Sequence, residues 1–411
     1  MLRDRARRPR PAGPSPRKGP IPPLTRRGFL KTGVCTLSAA ALGPGILLRS
    51  VAGARGAPPR NLLLVELDGG NDGLNTIVPW GVDGGAYYTE YRPTLSVPEP
   101  QVLKVPGAPV GFHPSLAQLK AHYDAGRLAV VQGVSYPNPS FSHDTSMRIW
   151  HTGWPASPWQ EGWLARYLNL HPTPAFPSAL EVFDHRTLLT GGTDGFLPAA
   201  ESFDDVSFPS DGLHPGDAGN RKDAYAAIAA GAETSPDPLG SIAATSSGLV
   251  DLIDAFSTIA PVPYVGTYPP GRLGRSLRLV VRLLVADVGL RTFHLGYGGF
   301  DTHDDQDVGG YHAGLLARLS LGLDALHADL VANGLADDTL VVVFSEFGRT
   351  VYQNGSHGSD HGSVNPVLVF GNGVNGGFAT SHPSLDPGDL TPDAEPAMVA
   401  DFRDVFGTVL L

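Results

Sequence analysis

The chain has 411 residues, with 40 acidic and 30 basic side chains and a single cysteine, Cys35. Residues 1–54 contain 11 of the basic residues and one acid, Asp4, which leaves 19 basic and 39 acidic residues in 55–411. The net charge of about −20 on 55–411 argues against binding nucleic acid or an anionic membrane. Because the cysteine lies near the start, residues 55–411 can form no internal disulfide and have no thiolate chemistry.

The first 54 residues are predicted to be a twin-arginine signal peptide. Residues 25–31 have the sequence TRRGFLK, a mildly apolar stretch follows over 32–48, and Ala52-Gly53-Ala54 offers a cleavage site. The apolar stretch contains Gly43-Pro44-Gly45 and is shorter than the roughly 20 residues that a membrane span needs. We therefore expect no stable membrane anchor, export through the twin-arginine machinery, and a periplasmic or extracellular location.

Strand-like and helix-like patterns alternate along residues 55–411. Strand-like apolar runs occur at 61–67, 128–134, 291–297, 339–345 and 366–370. Apolar residues recur at helical intervals in 114–123, 276–290 and 311–330, and a further helix-like segment ends at Trp150. This alternation predicts a single α/β domain with a mainly parallel sheet and helices on both faces. The stretch 184–221, rich in Gly, Asp, Ser and Pro, is predicted to be an inserted loop or small cap.

Carboxylates and histidines gather where the predicted strands end or begin. They are Asp68 in LDGGNDGLN, Asp301 and His303 in GGFDTH, Glu346 in FSEFGRT, and Asp360 and His361 in GSDHG. In open α/β sheets the ligand site lies outside the carboxyl ends of the strands, and such side chains are those that a catalytic divalent metal needs. Polar turns, a solvated acidic loop or a structural Glu–Arg pair are the alternative interpretations.

Two further residues are candidates for catalysis. Ser142, in SFSHD, comes at the predicted start of a helix, where the helix dipole favours an alkoxide and a bound anion. Ordinary helix capping by Ser142 is the alternative. Arg349 is of the residue type that forms bidentate contacts with phosphate or sulfate oxygens.

Seven segments together resemble an exported family known as domain of unknown function 1501, placed in the alkaline phosphatase superfamily. In chain order they are TRRGFLK, LDGGNDGLNTIVP, YRPTL, SFSHDTSMRIWHTG, GGFDTH, FSEFGRT and GSDHG. The resemblance implies a three-layer α/β/α sandwich and a metal centre that hydrolyses phosphate or sulfate esters. It implies Ser142 in the position of the nucleophile, and as metal ligands Asp68, Asp301, His303, Glu346, Asp360 and His361.

The chain departs from the superfamily pattern at two points. The usual Asp-His-Gly is here Glu346-Phe347-Gly348, which removes one imidazole, and Asp301 and His303 are two residues apart where many members have four. The first hypothesis is an exported hydrolase of small-molecule or polymer esters that uses zinc, manganese or calcium. The second is an exported binding or envelope-associated protein that retains the fold without catalysis. A sulfatase with a Cys-derived formylglycine is excluded, since Cys35 lies in the predicted signal.

Overall fold

The structure of the chain is a computed structural model, and its fold is organised around one central sheet. The described residues are 61–81, 84–154, 161–171, 179–193, 197–203, 206, 208, 214–307 and 310–410. All of them fall within one compact unit. The predicted signal peptide, residues 1–54, lies outside the described residues.

The strands are bounded as follows. They are β1 (Asn61–Asp68), β2 (Ile77–Pro79), β3 (Leu103–Lys104), β4 (Val110–Phe112), β5 (Leu128–Ser135), β6 (Ala179–Val182), β7 (Thr292–Gly298), β8 (Thr339–Phe344), β9 (Gly348–Gln353), β10 (Ser359–Gly362), β11 (Asn365–Phe370), β12 (Gly377–Phe378) and β13 (Ala400–Asp401).

The helices separate many of these strands. They are α1 (Gly73–Thr76), α2 (Gly84–Tyr91), α3 (Ala117–Asp124), α4 (His143–Thr152), α5 (Trp163–Leu170), α6 (Ala218–Ala232), α7 (Leu239–Thr258), α8 (Arg272–Ala286), α9 (Tyr311–Ala332) and α10 (Phe402–Val409).

The central sheet has the strand order β12-β5-β11-β8-β1-β7-β6, with β13 also paired to β5. β1 runs parallel to β7 and β8, β6 runs parallel to β7, and β12 and β13 run parallel to β5. Only β11 of this sheet is antiparallel to its neighbours, β5 and β8. The predicted mainly parallel sheet is confirmed, with β11 as the exception.

Helices cover both faces of the sheet. On one face, Leu63 and Val65 of β1 belong to an apolar cluster that includes residues of α3, α7, α8 and α9. On the other face, Leu64 belongs to a cluster with Trp150 of α4, Trp163 of α5 and residues of α10. Alternate residues of β1 therefore face opposite layers, as the pleat of a strand requires. The predicted three-layer α/β/α sandwich is confirmed.

The sequence prediction missed elements that lack a clear apolar period. All five predicted strands match described strands, whereas the short β6 and the helices α6 and α7 were not predicted. The stretch 184–221 contains short 3-10 turns at Leu188–Thr190 and Pro215–Asp217, and α6 begins before its end. By length and composition α7 is apolar enough to cross a membrane, yet Leu252 and Phe256 of this helix pack in the core.

A buried ion pair fixes the loop that follows β1. Arg92 donates from Nη1 to both carboxylate oxygens of Asp72, at 2.9 and 2.7 Å, and both side chains are fully buried. The same guanidinium donates to the carbonyls of Thr350 at 2.6 Å and Val351 at 3.0 Å. Asp72 of LDGGNDGLN is thus a structural residue that ties the loop after β1 to β9.

Removal of Arg92 is expected to destabilise the fold strongly. Arg92→Met would leave the Asp72 carboxylate buried without its cation, which costs about 3–5 kcal/mol in the free energy of unfolding. The exposed pair Lys104–Glu99 provides the control, because Lys104→Met should cost less than about 1 kcal/mol. Urea denaturation of both variants measures the difference, and equal effects would contradict the structural role of Arg92.

Glu395 is expected to make stability depend on pH. Its carboxylate is buried and accepts a hydrogen bond from the Ser363 amide at 2.9 Å, and burial raises its pKa from 4.5 to about 7. The folded state therefore binds this proton more tightly than the unfolded chain, so its stabilising contribution is complete below pH 4.5 and is lost as the pH rises through 7. Glu395→Gln should raise the melting temperature at pH 8, and the gain should shrink toward pH 5. A gain independent of pH would contradict this assignment.

Candidate functional site

The strand ends and one hairpin bring the predicted site residues to one edge of the sheet. β1, β7 and β8 are adjacent and parallel, so the segments after Asp68, Gly298 and Phe344 leave the sheet at the same edge. β8 continues into the hairpin β9–β10, in which His361 lies opposite Arg349. Since the chain re-enters the sheet from this edge as β11, that strand runs antiparallel and His361 stays beside the other strand ends.

Two glycines after β1 allow the close approach of these segments. Gly69 and Gly70 have φ angles of 117° and 76°. A Cβ atom on Gly69 would lie 2.3 Å from the amide nitrogen of Asp301, and one on Gly70 would lie 2.4 Å from the ring of Phe347. Only glycine fits this packing, which places the loop after β1 against the loop after β7.

The Oδ1 atom of Asp301 is the centre of the site. It lies 3.0 Å from Nε2 of His303, 3.2 Å from Nε2 of His361 and 3.5 Å from Nε2 of His143. The Nε2 atoms of His303 and His361 are themselves 2.9 Å apart. Three imidazoles from three segments of the chain therefore turn the same ring nitrogen toward one carboxylate oxygen.

The opposite nitrogen of each imidazole is held by a hydrogen-bond acceptor. Nδ1 of His361 donates to the Phe141 carbonyl at 2.6 Å. Nδ1 of His143 contacts Oε1 of Glu346 at 2.8 Å, and Nδ1 of His303 contacts Oδ1 of Asp360 at 3.0 Å. Carbonyl and carboxylate oxygens only accept, so these partners assign a ring proton to Nδ1, and in the neutral form of each ring the lone pair is on Nε2.

This arrangement fits a divalent cation. The ligand atoms of His143, Asp301 and His361 all lie within 4.8 Å of one another, and Nε2 of His143 is buried without a hydrogen-bond partner among the described residues. Lone pairs that face one another with no donor between them cost free energy. Metal-ligating histidines commonly donate their second nitrogen to a carboxylate or a carbonyl, which is the pattern of these three imidazoles.

Two of the predicted metal ligands, Glu346 and Asp360, contact imidazoles of the cluster. Glu346 is fully buried, and its Oε1 accepts hydrogen bonds from the Gly69 amide at 2.9 Å and from His143. Asp360 accepts from His303 and, at 3.1 Å, from the amide group of Asn354. Both carboxylates lie behind an imidazole and outside the close group of ligand atoms, where they orient histidines, and their role as metal ligands stays a prediction.

Asp68 lies at the same edge but outside the close group of ligand atoms. Partial burial raises the pKa of its carboxyl, and the charges of Glu346, Glu66 and Asp301 raise it further. Asp301 behaves oppositely: burial would raise its pKa, but the hydrogen bond from Arg349 and the charge of that guanidinium outweigh burial and lower its pKa to about 2. Repulsion between neighbouring carboxylates therefore acts on Asp68, and a bound cation would relieve it.

Arg349 is not placed to bind a substrate oxyanion. Its buried guanidinium donates to the carbonyls of Gly70 at 2.7 Å, Ser359 at 2.8 Å and Phe300 at 3.0 Å, and also to that of Gly69. The remaining contact is to Oδ1 of Asp301 at 2.7 Å. Each of its three nitrogens therefore donates to an acceptor of the protein, and the side chain is fully buried. Arg349 therefore ties together the loops that carry the site and fixes Asp301.

Ser142 is exposed and directly precedes α4, and its hydroxyl does not cap the helix. Its two neighbours are bound to the cluster, Phe141 through the carbonyl that holds His361 and His143 through its own ring. The position agrees with a free hydroxyl beside the cluster better than with the alternative of helix capping. The role of Ser142 as nucleophile stays a prediction.

His143 is the residue that sequence reasoning missed. It directly follows Ser142 in SFSHD, and a histidine next to a candidate nucleophile at a helix start was the available signal. Phe347, which replaces the usual histidine, is buried and its ring lies 4.9 Å from that of His143 and 4.6 Å from that of His361. The missing imidazole is thus supplied by α4, and Phe347 forms an apolar wall behind two histidines.

Comparisons with solved structures give distant similarities. The zinc complex of the C-terminal periplasmic domain of EcEptC from Escherichia coli is 12% identical over 78% of this chain and 76% of that chain, with a TM-score of 0.35. A protein in the alkaline phosphatase superfamily from Vibrio parahaemolyticus is 11% identical over 87% and 71%, with a TM-score of 0.35. The alkaline phosphatase from the Antarctic bacterium TAB5 is 11% identical over 76% and 91%, with a TM-score of 0.30. Similarities of this size do not identify an activity.

Comparison with curated proteins gives no match. A family model described as "Protein of unknown function (DUF1501)" matches residues 270–403. The matched segment contains β7 to β11 and thus Asp301, His303 and His361 of the cluster. The resemblance to the family of domain of unknown function 1501 that the sequence motifs predict is therefore confirmed, with its model matched over residues 270–403.

Proposed function

We propose that the protein is an exported metal-dependent hydrolase of phosphate or sulfate esters. The observation that supports this proposal is the convergence of three imidazole Nε2 atoms and the Asp301 carboxylate beside the exposed hydroxyl of Ser142. A hydrolase of such esters needs a cation to offset charge on the transferred group and a nucleophile next to it. Both requirements meet at this edge of the sheet.

The residues that would hold the metal are His143, His303, His361 and Asp301. Three imidazole nitrogens with one carboxylate oxygen suit zinc, whereas calcium prefers an all-oxygen set. We therefore favour zinc among the three metals considered. When bound, the metal supplies Lewis-acid polarisation of the ester and lowers the pKa of a coordinated hydroxyl.

The side chains around the metal would carry out the remaining steps of the reaction. The Ser142 oxygen would bond to phosphorus or sulfur and displace the ester alcohol, and water would later cleave the serine ester. The start of α4 favours negative charge on that oxygen. Glu346 and Asp360 would keep His143 and His303 in the required tautomer. Arg349 would hold Asp301 in place through its hydrogen bond to Oδ1.

The contacts of Arg349 support a second candidate function. With Arg349 bound to four carbonyls and Asp301, its guanidinium does not reach toward a substrate oxyanion. A protein that binds a metal and an anionic partner without turnover would need no arginine to stabilise the charge of a transition state. This alternative is the exported binding or envelope-associated protein.

Export by the twin-arginine route remains part of the proposal. It depends on the TRRGFLK sequence in residues 25–31, which lie outside the described residues. The predicted partners are the export machinery and a small-molecule or polymer ester. Nucleic acid is not an expected partner of the strongly acidic residues 55–411.

Zinc is expected to stabilise metal-stripped protein through the histidine cluster. A ligand at 100 times its Kd adds about 2.7 kcal/mol to the free energy of unfolding. Asp301→Asn and His361→Ala should abolish the zinc-dependent rise in melting temperature, and Asp360→Asn should weaken zinc binding by about 10–100-fold. His357→Ala, in the same glycine-rich loop but outside the cluster, is the matched control. An unchanged response in the Asp301 and His361 variants would contradict the metal site.

Ser142 is expected to be essential for turnover but not for metal binding. Ser142→Ala should lower kcat by at least about 1,000-fold, the scale seen when a nucleophile is removed, with the zinc affinity unchanged. Thr145→Ala, exposed on the first turn of the same helix, should keep full activity. Activity is measured on aryl phosphate, phosphodiester and aryl sulfate panels with zinc-loaded protein. Tight zinc binding without turnover of any ester would favour the binding-protein alternative.

A further inference from the structure

A second group of histidines and carboxylates lies inside the fold, between the sheet and α4. It consists of Glu66 of β1, Glu181 of β6, His294 of β7 and His151 of α4. Each of these residues is at most 3% exposed. The strand order β1-β7-β6 brings the three strand residues side by side, and α4 covers them. None of these residues belongs to the histidine cluster at the edge of the sheet.

The ligand atoms of this buried group converge on one oxygen. Oε2 of Glu66 lies 2.8 Å from Nε2 of His151 and 2.8 Å from Nε2 of His294. The ligand atoms of the three residues lie within 4.8 Å of one another. On its other side, His294 contacts Oε2 of Glu181 through Nδ1 at 2.8 Å.

The second oxygen of Glu66 is unsatisfied. Oε1 is buried and has no hydrogen-bond partner among the described residues, while Oε2 is shared by two imidazoles. A buried carboxylate oxygen without a partner is costly, and native structures rarely retain one without a ligand, ion or water. By contrast, Oε1 of Glu181 accepts from the hydroxyls of Thr187 at 2.9 Å and Thr190 at 2.6 Å.

We propose that Glu66, His151 and His294 form a second, buried metal site that takes zinc, and that Glu181 orients His294 through its Nδ1. Two histidines and a glutamate are a known ligand set for zinc, and the carboxylate–imidazole pair behind the metal is a common supporting contact. The cation would engage the free Oε1 of Glu66. Its two positive charges would neutralise the two buried carboxylates, so the interior would hold no net charge.

In the alternative state without a metal, His294 carries a second proton between the two carboxylates. Burial lowers the pKa of His294, but Glu181 and Glu66 outweigh burial and raise it to about 9. A doubly protonated His294 would then donate to both carboxylates. That state leaves Oε1 of Glu66 without a partner, whereas a metal does not. Metal content measured on the folded protein separates the two states.

The experiment uses the full chain with the edge site removed by His303→Ala and His361→Ala. The protein is produced with zinc in the medium, treated with EDTA, desalted and analysed for zinc by mass spectrometry. Because the buried site is closed to solvent, we expect about one chelator-resistant zinc per chain. The same result is expected with or without turnover by the edge site, so failure of the proposed function does not affect it.

Variants assign the retained ion to the buried group. His294→Gln or Glu66→Gln in the same background should lower the retained zinc at least 10-fold. His122→Gln is the matched control, since His122 is a buried histidine 3.0 Å from one carboxylate, that of Asp324, and should keep the ion. No retained zinc in the folded background protein, or equal retention in all variants, would overturn the proposal.

A spectroscopic measurement on the background protein tests the site without the variants, in case these do not fold. X-ray absorption at the zinc edge of the background protein should show scattering from two imidazoles with only nitrogen and oxygen ligands at about 2.0–2.2 Å. A spectrum without imidazole scattering would overturn the buried site even if every variant of Glu66 and His294 failed to fold.

Discussion

The site depends on how each imidazole at the edge of the sheet uses its second nitrogen. The acceptors of Nδ1 come from three places: the end of β8, the hairpin β9–β10, and the loop before α4. Each acceptor fixes a proton on Nδ1 and one ring orientation, so three Nε2 atoms face Asp301. Loss of any one acceptor would let its imidazole ring rotate, and the nitrogen that faces Asp301 would change. The geometry of the candidate metal ligands therefore depends on residues outside the cluster as much as on those within it.

The reversed strand β11 explains why distant motifs share one edge. A parallel strand would enter the sheet from the opposite edge and carry the segment before it away from the strand ends. Because β11 is antiparallel, the chain turns back through β9–β10 directly above β8, and His361 pairs with Arg349. Arg349 then joins the loops after β1 and β7 through their carbonyls. One guanidinium therefore holds three segments in register, which is a stronger constraint than an exposed ion pair could provide.

The sequence predicted the scaffold and part of the site. Long apolar runs identified β1, β5, β7, β8 and β11, while α6 and α7, rich in alanine and serine, showed no usable period. Asp301 and His303 were found because they follow a strand end, and His361 because it lies in a glycine-rich loop just before a predicted strand. The contacts of Glu346 and Arg349 could not be predicted, because residue type does not reveal whether a carboxylate contacts a histidine or whether a guanidinium is buried within the protein. The buried Glu66 and His294 lie inside apolar runs, and only the strand order, a non-local property, brings them together.

The replacement of a histidine by Phe347 does not by itself indicate loss of a metal centre. The imidazole that is missing from the motif is supplied by His143, which reaches the same carboxylate oxygen from α4, 3.5 Å away. Phe347 instead packs against two of the three rings and limits their motion. What separates a hydrolase from a binding protein is the stabilisation of charge on the transferred group, since a cation can be bound equally well by both. The choice between the two functions therefore turns on the reactivity of Ser142, because the guanidinium of Arg349 is buried and already contacts Asp301 and the loop carbonyls.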